Sequence, residues 1–262
     1  MLYLILAQFW LNLSKQQNAL MKNFIWITLF LASCSPIYVP NVRNAALFRG
    51  AGEVQASGHI GIFSGIDAQA AVSVTNHIGV SGSFESVSRS SENNDKYVKH
   101  KFWEGGIGYY ENAPNGRLCY EIFGGFGRGE GTAYNSFDKL FGYNPEDIKA
   151  TGEYKRFYIQ PSIGSNHRIF NWIASARFSY VDFEHFTTGG TTATYNDPVI
   201  FFEPAFTGRV NFGKSPIYSQ FQAGFSIATQ GDSAYDYQPM TVSFGFGLRL
   251  GGPRKSQDAT TN

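Results

Sequence analysis

From Met240 to Leu250 every second residue is apolar: Met240, Val242, Phe244, Phe246, Leu248 and Leu250. Thr241, Ser243, Gly245, Gly247 and Arg249 fill the alternate positions. A period of two specifies a strand with one apolar face and one small or polar face. The stretch is also as long as a tilted strand that crosses a bilayer, roughly 9–11 residues.

The pattern recurs along the chain. It places strands at 53–62, 67–75, 78–87, 98–110, 117–128, 153–164, 169–182, 199–212, 217–228 and 239–250. The seventh sets Phe170, Trp172, Ala174, Ala176, Phe178 and Tyr180 against Asn171, Ser175, Arg177 and Ser179. Between strands, Asn76-His77, Glu111–Gly116, Ser165–Arg168 and Gly213–Pro216 have the composition of tight turns. The alternate connections, 88–97, 129–152, 183–198 and 229–238, are longer, with 63–66 the short exception. Short turns at one end and long loops at the other mark an outer-membrane barrel. The expected fold is therefore all-β, an antiparallel up-and-down transmembrane barrel of about ten strands over residues 52–250. An even strand count lets the sheet close without an unpaired edge in lipid. Both termini are expected in the periplasm, including the tail 251–262.

Composition agrees with half-polar strands. Phe and Tyr are abundant, at 24 and 15 residues, yet the mean hydropathy is slightly negative. A formal net charge of +1 gives no reason to expect a nucleic-acid partner. The expected partners are outer-membrane lipid and an extracellular molecule met by the loops 129–152 and 183–198. A monomer is expected.

On this alternation Glu53, Glu85, Glu104, Glu121 and Glu203 point inward, together with Arg156, Arg177, Arg209 and Arg249. Buried charges are costly unless paired or wet, so a salt-bridged interior and a plugged lumen follow. An ion path lined by the same residues is the functional alternative.

Residues 21–33 read as a signal peptide, with Lys22 ahead of the apolar run Phe24–Leu31. Leu31-Ala32-Ser33-Cys34 resembles the lipobox of bacterial lipoproteins, which implies a lipid on Cys34. An ordinary secretory signal with an incidental cysteine is the other reading. Residues 1–20 read as a mis-called extension, or as part of a long signal. The stretch 34–51 carries Pro36, Pro40 and several Asn, and it is expected to be an irregular periplasmic linker. Cys34-Ser-Pro-Ile-Tyr38-Val-Pro40-Asn41, with Asn44, Leu47-Phe48 and Gly52-Glu53-Val54-Gln55, resembles the start of a family of uncharacterised outer-membrane barrel (lipo)proteins. In that family a cysteine and a Tyr-x-Pro-Asn segment precede the first strand. The resemblance implies the barrel and no reaction.

Asp182, Glu184 and His185 sit near the outer rim, where acid and His pairs serve some outer-membrane enzymes. Strict alternation puts His185 on the opposite face from the two acids, and a solvated loop start is the better reading. The five histidines lack metal-ligand spacing, so no metal or cofactor is expected. Tyr134, Phe137, Phe141 and Tyr143 make the loop 129–152 aromatic, with a helical turn expected at 136–141. Cys119 reads as a small buried hydrophobe. Four functions remain open: a barrel with a structural or surface-interaction role, a rim enzyme acting on lipid or peptide, a narrow channel, and a lipid-tethered soluble barrel binding a ligand inside an apolar core.

Overall fold

The computed structural model describes residues 36–62, 64–90, 96–135, 149–188, 191–193, 198–229 and 236–252. The signal segment, Cys34, the helical turn at 136–141 with Phe137 and Phe141, and Tyr143 lie outside the described residues.

No helix occurs among the described residues. The strands are β1 (Val54–Gly61), β2 (Gly65–Ser73), β3 (Ile78–Ser90), β4 (Lys96–Asn112), β5 (Leu118–Asn135), β6 (Lys149–Ser165), β7 (Phe170–Thr188), β8 (Thr191–Ala193), β9 (Val199–Asn211), β10 (Ile217–Phe225), β11 (Ile227–Ala228) and β12 (Met240–Leu250). Consecutive long strands pair antiparallel, β7 skips β8 to pair with β9, and β12 pairs with β1. The sheet is thus a closed barrel of ten long strands. β8 folds back on the end of β7, and β11 carries the line of β10 past Ser226 against β9.

The wall is apolar outside and polar inside. Trp103, Phe206, Phe244 and Phe246 are each about half exposed, at 51%, 51%, 50% and 55%. Their neighbours in sequence face the lumen, and Glu104 and Ser243 are buried. A soluble barrel with an apolar interior would have the reverse arrangement.

β4 to β7 stand taller than expected. The sequence places the fifth strand at 117–128 and the seventh at 169–182, whereas β5 continues to Asn135 and β7 to Thr188. Much of each expected loop is therefore wall. The apolar half of the alternation stops there, because the outward positions become Arg128, Glu130 and Thr132 on β5 and Asp182 and Glu184 on β7. The inward half continues through Gly127, Gly129, Gly131 and Ala133, and so does the backbone ladder.

The largest departure concerns residues 34–51. Its described part has no strand, as expected, but it does not lie outside the barrel. Tyr38, Val39, Asn41, Arg43 and Phe48 are each 0% exposed and contact inward-facing side chains of the wall. The segment runs through the lumen. Ile37 lies at the end bearing the long connections, where its N–H donates to Asp236 O at 2.9 Å. Phe48 lies at the tight-turn end, where its carbonyl accepts from Asn112 Nδ2 at 3.0 Å. The barrel's last strand leaves at that same tight-turn end, with Leu250 opposite Val54. The described residues therefore begin, near Ile37, at one end of the barrel and finish, after Leu250, at the other.

Candidate functional site

An irregular segment inside a barrel has no strand beside it to satisfy its backbone, and unpaired buried amides are expensive. Here wall side chains stand in for the missing strand. Val42 N donates to Asp67 Oδ2 at 3.1 Å, and Val42 O accepts from Gln69 Nε2 at 2.7 Å. Gln222 takes both groups of Arg43, accepting from its N–H at 2.7 Å and donating to its carbonyl at 3.0 Å. Gln160 donates to Asn44 O, Arg209 to Ala45 O and Gln55 to Ala46 O. Leu47 N donates to Glu121 Oε2 at 2.8 Å. Glutamine suits this task because its amide both donates and accepts.

Side chains of the segment complete a charge network at mid-height. Asn41 donates from Nδ2 to Glu104 Oε1 at 2.8 Å and to Ser83 Oγ at 2.9 Å. Its Oδ1 accepts from Arg156 at 2.7 Å and from Arg177 at 2.8 Å. Glu104 in turn pairs with Arg156 and, at 3.4 Å, with Arg177. Tyr38 donates to Glu203 at 2.8 Å while its oxygen accepts from Arg156 at 3.1 Å. Ser179 and Ser226 also donate to Glu203. At mid-height the side chains of the Tyr and Asn of the Tyr-x-Pro-Asn stretch thus meet charges of the wall. Arg43 is fully buried and donates to neutral acceptors, among them Thr241 Oγ1 at 3.1 Å and Phe225 O at 3.0 Å.

The remaining inward charges form separate groups. Glu53 pairs with Arg249 at 3.2 Å and with Arg49 at 2.9 Å near the tight-turn end. Arg209 donates to Gln220 and Gln55, with its guanidinium 4.5 Å from the Tyr218 ring centre. Glu85 lies 3.5 Å from His100, whose other ring nitrogen meets Tyr154 OH at 2.8 Å. Ion pairs of the interior thus lie both at mid-height and near the tight-turn end, around the luminal segment. Asp67, His100 and Arg43 also line the lumen and are not singled out by the sequence, whereas Tyr38 and Asn41 enter it only through the Tyr-x-Pro-Asn resemblance. Asp67 was legible, since it falls in the polar phase of β2 with Gln69, Ala71 and Ser73.

Apolar clusters close both ends of the lumen. At the long-connection end Ile37 and Tyr38 pack with Phe102, Tyr154, Phe183 and Phe201, and the rings of Tyr38 and Phe201 stack at 4.8 Å. At the other end Leu47 and Phe48 pack with Tyr110, Cys119, Phe123, Tyr158 and Ile173. Several wall glycines, Gly79, Gly131 and Gly164 among them, admit the segment. A methyl group at Gly131 would strike Ile37 O, and one at Gly164 would strike the Leu47 side chain. Leu47 itself has a φ of 46°, a rare conformation for a branched residue. Beside the segment, between Asn44, Gln69 and Arg209, remains a cavity of about 10 Å³, room for about one water.

Asp182, Glu184 and His185 are on the outer face. A bulge between Glu153 and Tyr154 sets Tyr154 opposite Phe183 and Glu153 opposite His185. Alternation therefore fails at this point, and His185 is exposed on the outer face. Glu184 pairs with Arg128 at 3.0 Å and with Lys155. These contacts belong to a charged row above the apolar band. An open cleft of about 660 Å³ lies over this upper wall, lined by Lys99, Lys101, Glu130, Glu153, His185 and neighbouring Ser and Thr residues. Among the described residues no group of three or more His, Cys, Asp or Glu is placed to hold a metal ion.

No family model matches the chain, and no curated protein does. Among solved structures it is similar to the translocator domain of autotransporter NalP from Neisseria meningitidis, at 13% identity over 90% of this chain and 98% of that one, with a TM-score of 0.37. It is also similar to a bacterial polysaccharide outer membrane secretin, at 12% identity over 78% of this chain and 99% of that one, with a TM-score of 0.25. The fold assignment rests on the closed strand ladder itself.

Proposed function

We propose that this chain is an integral outer-membrane barrel, sealed by its own luminal segment, with a structural or surface-interaction role carried at its long-connection end. The observation that supports it most is the reversal of the wall. Large apolar side chains such as Ile60, Ile107, Phe157 and Leu250 are exposed around the barrel, while Glu53, Glu104, Arg156 and Glu203 are buried within. Water would penalise the exposed band, and contiguous patches of that size mark a membrane or partner surface. Closure of the sheet leaves no strand edge needing a partner, in keeping with a monomer.

The channel reading has less support, because both ends of the lumen are closed by apolar clusters and its middle is occupied. A rim enzyme has less still, since Glu184 is engaged by two cations and His185 faces Glu153. Lipidation of Cys34 stays part of the proposal on the strength of Leu31-Ala32-Ser33-Cys34. Fractionation with detergent extraction tests the central claim. The protein should be found in the outer membrane and should migrate faster on gels before boiling than after. Recovery from the soluble periplasm would reject it. Planar-bilayer recordings should be silent, and steady conductance steps would favour the channel.

A further inference from the structure

The two ends of the wall differ in how their outer cations are met. Toward the long-connection end Arg128 stands against Glu184 and Glu153, Lys155 against Glu184, and Lys101 against Glu130. At the tight-turn end the connections β4–β5, β6–β7 and β9–β10 each present one exposed cation, Arg117, Arg168 and Lys214. The stretches 113–117, 166–169 and 212–216 contain no Asp or Glu. Among the described residues none of these three cations has an acidic partner. The remaining tight connection, β2–β3, carries His77, which Glu111 meets at 3.0 Å.

The three connections form one continuous arc. The strands that they join are neighbours in the order β4, β5, β6, β7, β9, β10. Asn166 N donates to Arg117 O at 2.7 Å, and Asn211 N donates to Ile169 O at 2.8 Å. Asn211 Nδ2 also donates to Arg168 O at 3.2 Å. The backbone of the arc is thereby fixed. Neighbouring strands lie about 4.8 Å apart, so cations on successive hairpins recur at about 10 Å. A row of like charges at that spacing complements a layer of anions better than a single one.

The arc borders the apolar band. Tyr120, Ile169, Phe170, Phe212 and Ile217 are exposed beside it at the foot of the wall. A soluble polyanion makes no use of such a border, whereas a phospholipid does. Its acyl chains lie against the rings and aliphatics, and its phosphate sits level with the turns. Arginine and lysine suit this level, since their stems cover apolar surface while the charged head stays in the polar layer.

We infer that Arg117, Arg168 and Lys214 form a docking surface for anionic phospholipid headgroups in the leaflet at the tight-turn end. The two guanidinium groups offer a phosphate paired N–H donors, and the ammonium offers a point charge. Attraction of basic residues to an anionic leaflet grows with their number and is screened by salt. The arc thus selects lipid by charge and sets the tight-turn rim at headgroup level. The inference rests on membrane insertion as proposed above, and it adds the class of lipid at one rim.

Spin-labelled lipids test it with the full chain refolded into phosphatidylcholine vesicles, insertion being checked first by heat-modifiable migration. Electron paramagnetic resonance then reads the fraction of labelled phosphatidylglycerol, and separately of labelled phosphatidylcholine, that the protein immobilises. The parent should hold phosphatidylglycerol severalfold more strongly at low salt, and the preference should fall toward unity at high salt. Arg117→Gln, Arg168→Gln and Lys214→Gln together should remove most of the preference and leave insertion intact. Lys101→Gln with Lys155→Gln should keep it. Equal immobilisation of the two lipids by the parent overturns the inference and leaves membrane insertion standing. If the parent then retains soluble polyphosphate, the arc serves an aqueous polyanion instead. A preference that survives the triple change, or that the Lys101/Lys155 pair abolishes, overturns the inference as well. Failure of the parent to insert overturns both readings. If the triple variant does not insert, the single substitutions replace it. Each should then lose part of the preference, and no loss in any of them overturns the inference.

Discussion

β7 and the segment from Ile37 to Phe48 both run along the barrel, and both are hydrogen-bonded over most of their length. Their bonds come from opposite sources. β7 is held by the backbones of β6 and β9, so its side chains are free to follow their environment, aromatic outward and polar inward. The luminal segment is held by side chains of the wall, through Gln69, Gln222, Gln160, Gln55, Arg209 and Glu121. Its backbone needs no period, and it has none. The lesson is that a regular element declares itself by periodicity, while an irregular one is declared by the residues that must receive it.

The largest effect should come where the two regions share charge. Glu104 is buried between Arg156, Arg177 and Asn41. Removing one partner of a buried ion pair leaves the other charge uncompensated, at about 3–5 kcal/mol. Glu104→Ala, which strands two guanidinium groups, should lower the temperature at which the compact gel form is lost more than any substitution on the outer charged row. A Glu104→Gln variant keeps the size and some hydrogen bonds and should recover part of the loss. Equal melting of Glu104→Ala and the parent would mean that the segment and wall are not coupled at mid-height.

Next in size is the outer band, where the sign of the effect separates lipid from water. Phe244 faces outward, midway along β12. Arg on the lipid face near the bilayer midplane costs about 2–4 kcal/mol, and less near the interface. Phe244→Arg should therefore reduce assembly in membranes, and Leu250→Arg, at the strand's end, should reduce it less. In a water-soluble barrel both changes would be neutral or would improve solubility. Yield of heat-modifiable protein after refolding into vesicles decides between these outcomes.

The wall was legible for the physical reason that makes this second prediction possible. Lipid outside and charge inside force a two-residue period, and Phe170–Tyr180 or Met240–Leu250 shows it plainly. Legibility failed where one side of that contrast disappeared. Above Gly127 the outside is polar as well, so β5 was cut short. At Glu153 a bulge breaks the count, so His185 was set on the wrong face. The luminal segment was missed because an Asn- and Pro-rich stretch ahead of a strand looks like a linker. Its destination was hinted at only by the wall. Inward charges and glutamines are many, and glycines such as Gly131 and Gly164 leave room beside them.

A smaller effect is expected at the contact of Gly131 with Ile37. Overpacking a close contact costs about 1–3 kcal/mol. A Gly131→Val side chain would collide with Ile37 O, a backbone atom that cannot rotate away. On β5 itself valine is a better strand former than glycine. Gly131→Val should therefore destabilise the full chain. In a chain lacking residues 36–50, provided that it still assembles, the same substitution should be neutral or stabilising. A penalty of equal size in both would place the strain in the wall and not between wall and segment.

The smallest effect belongs to the charged row outside. Glu184 pairs with Arg128 at 3.0 Å and with Lys155, at a partly exposed site. Exposed ion pairs contribute little and weaken with salt. Glu184→Gln should shift the melting of the compact form little, and the shift should shrink further at high salt. Glu104→Gln carries the same change of chemistry into the lumen, where ions have poor access, and its effect should persist at high salt. If both variants responded to salt alike, the lumen would have to be open to bulk water. The luminal segment could not then be the seal that its contacts with Gln222, Glu121 and Arg156 describe.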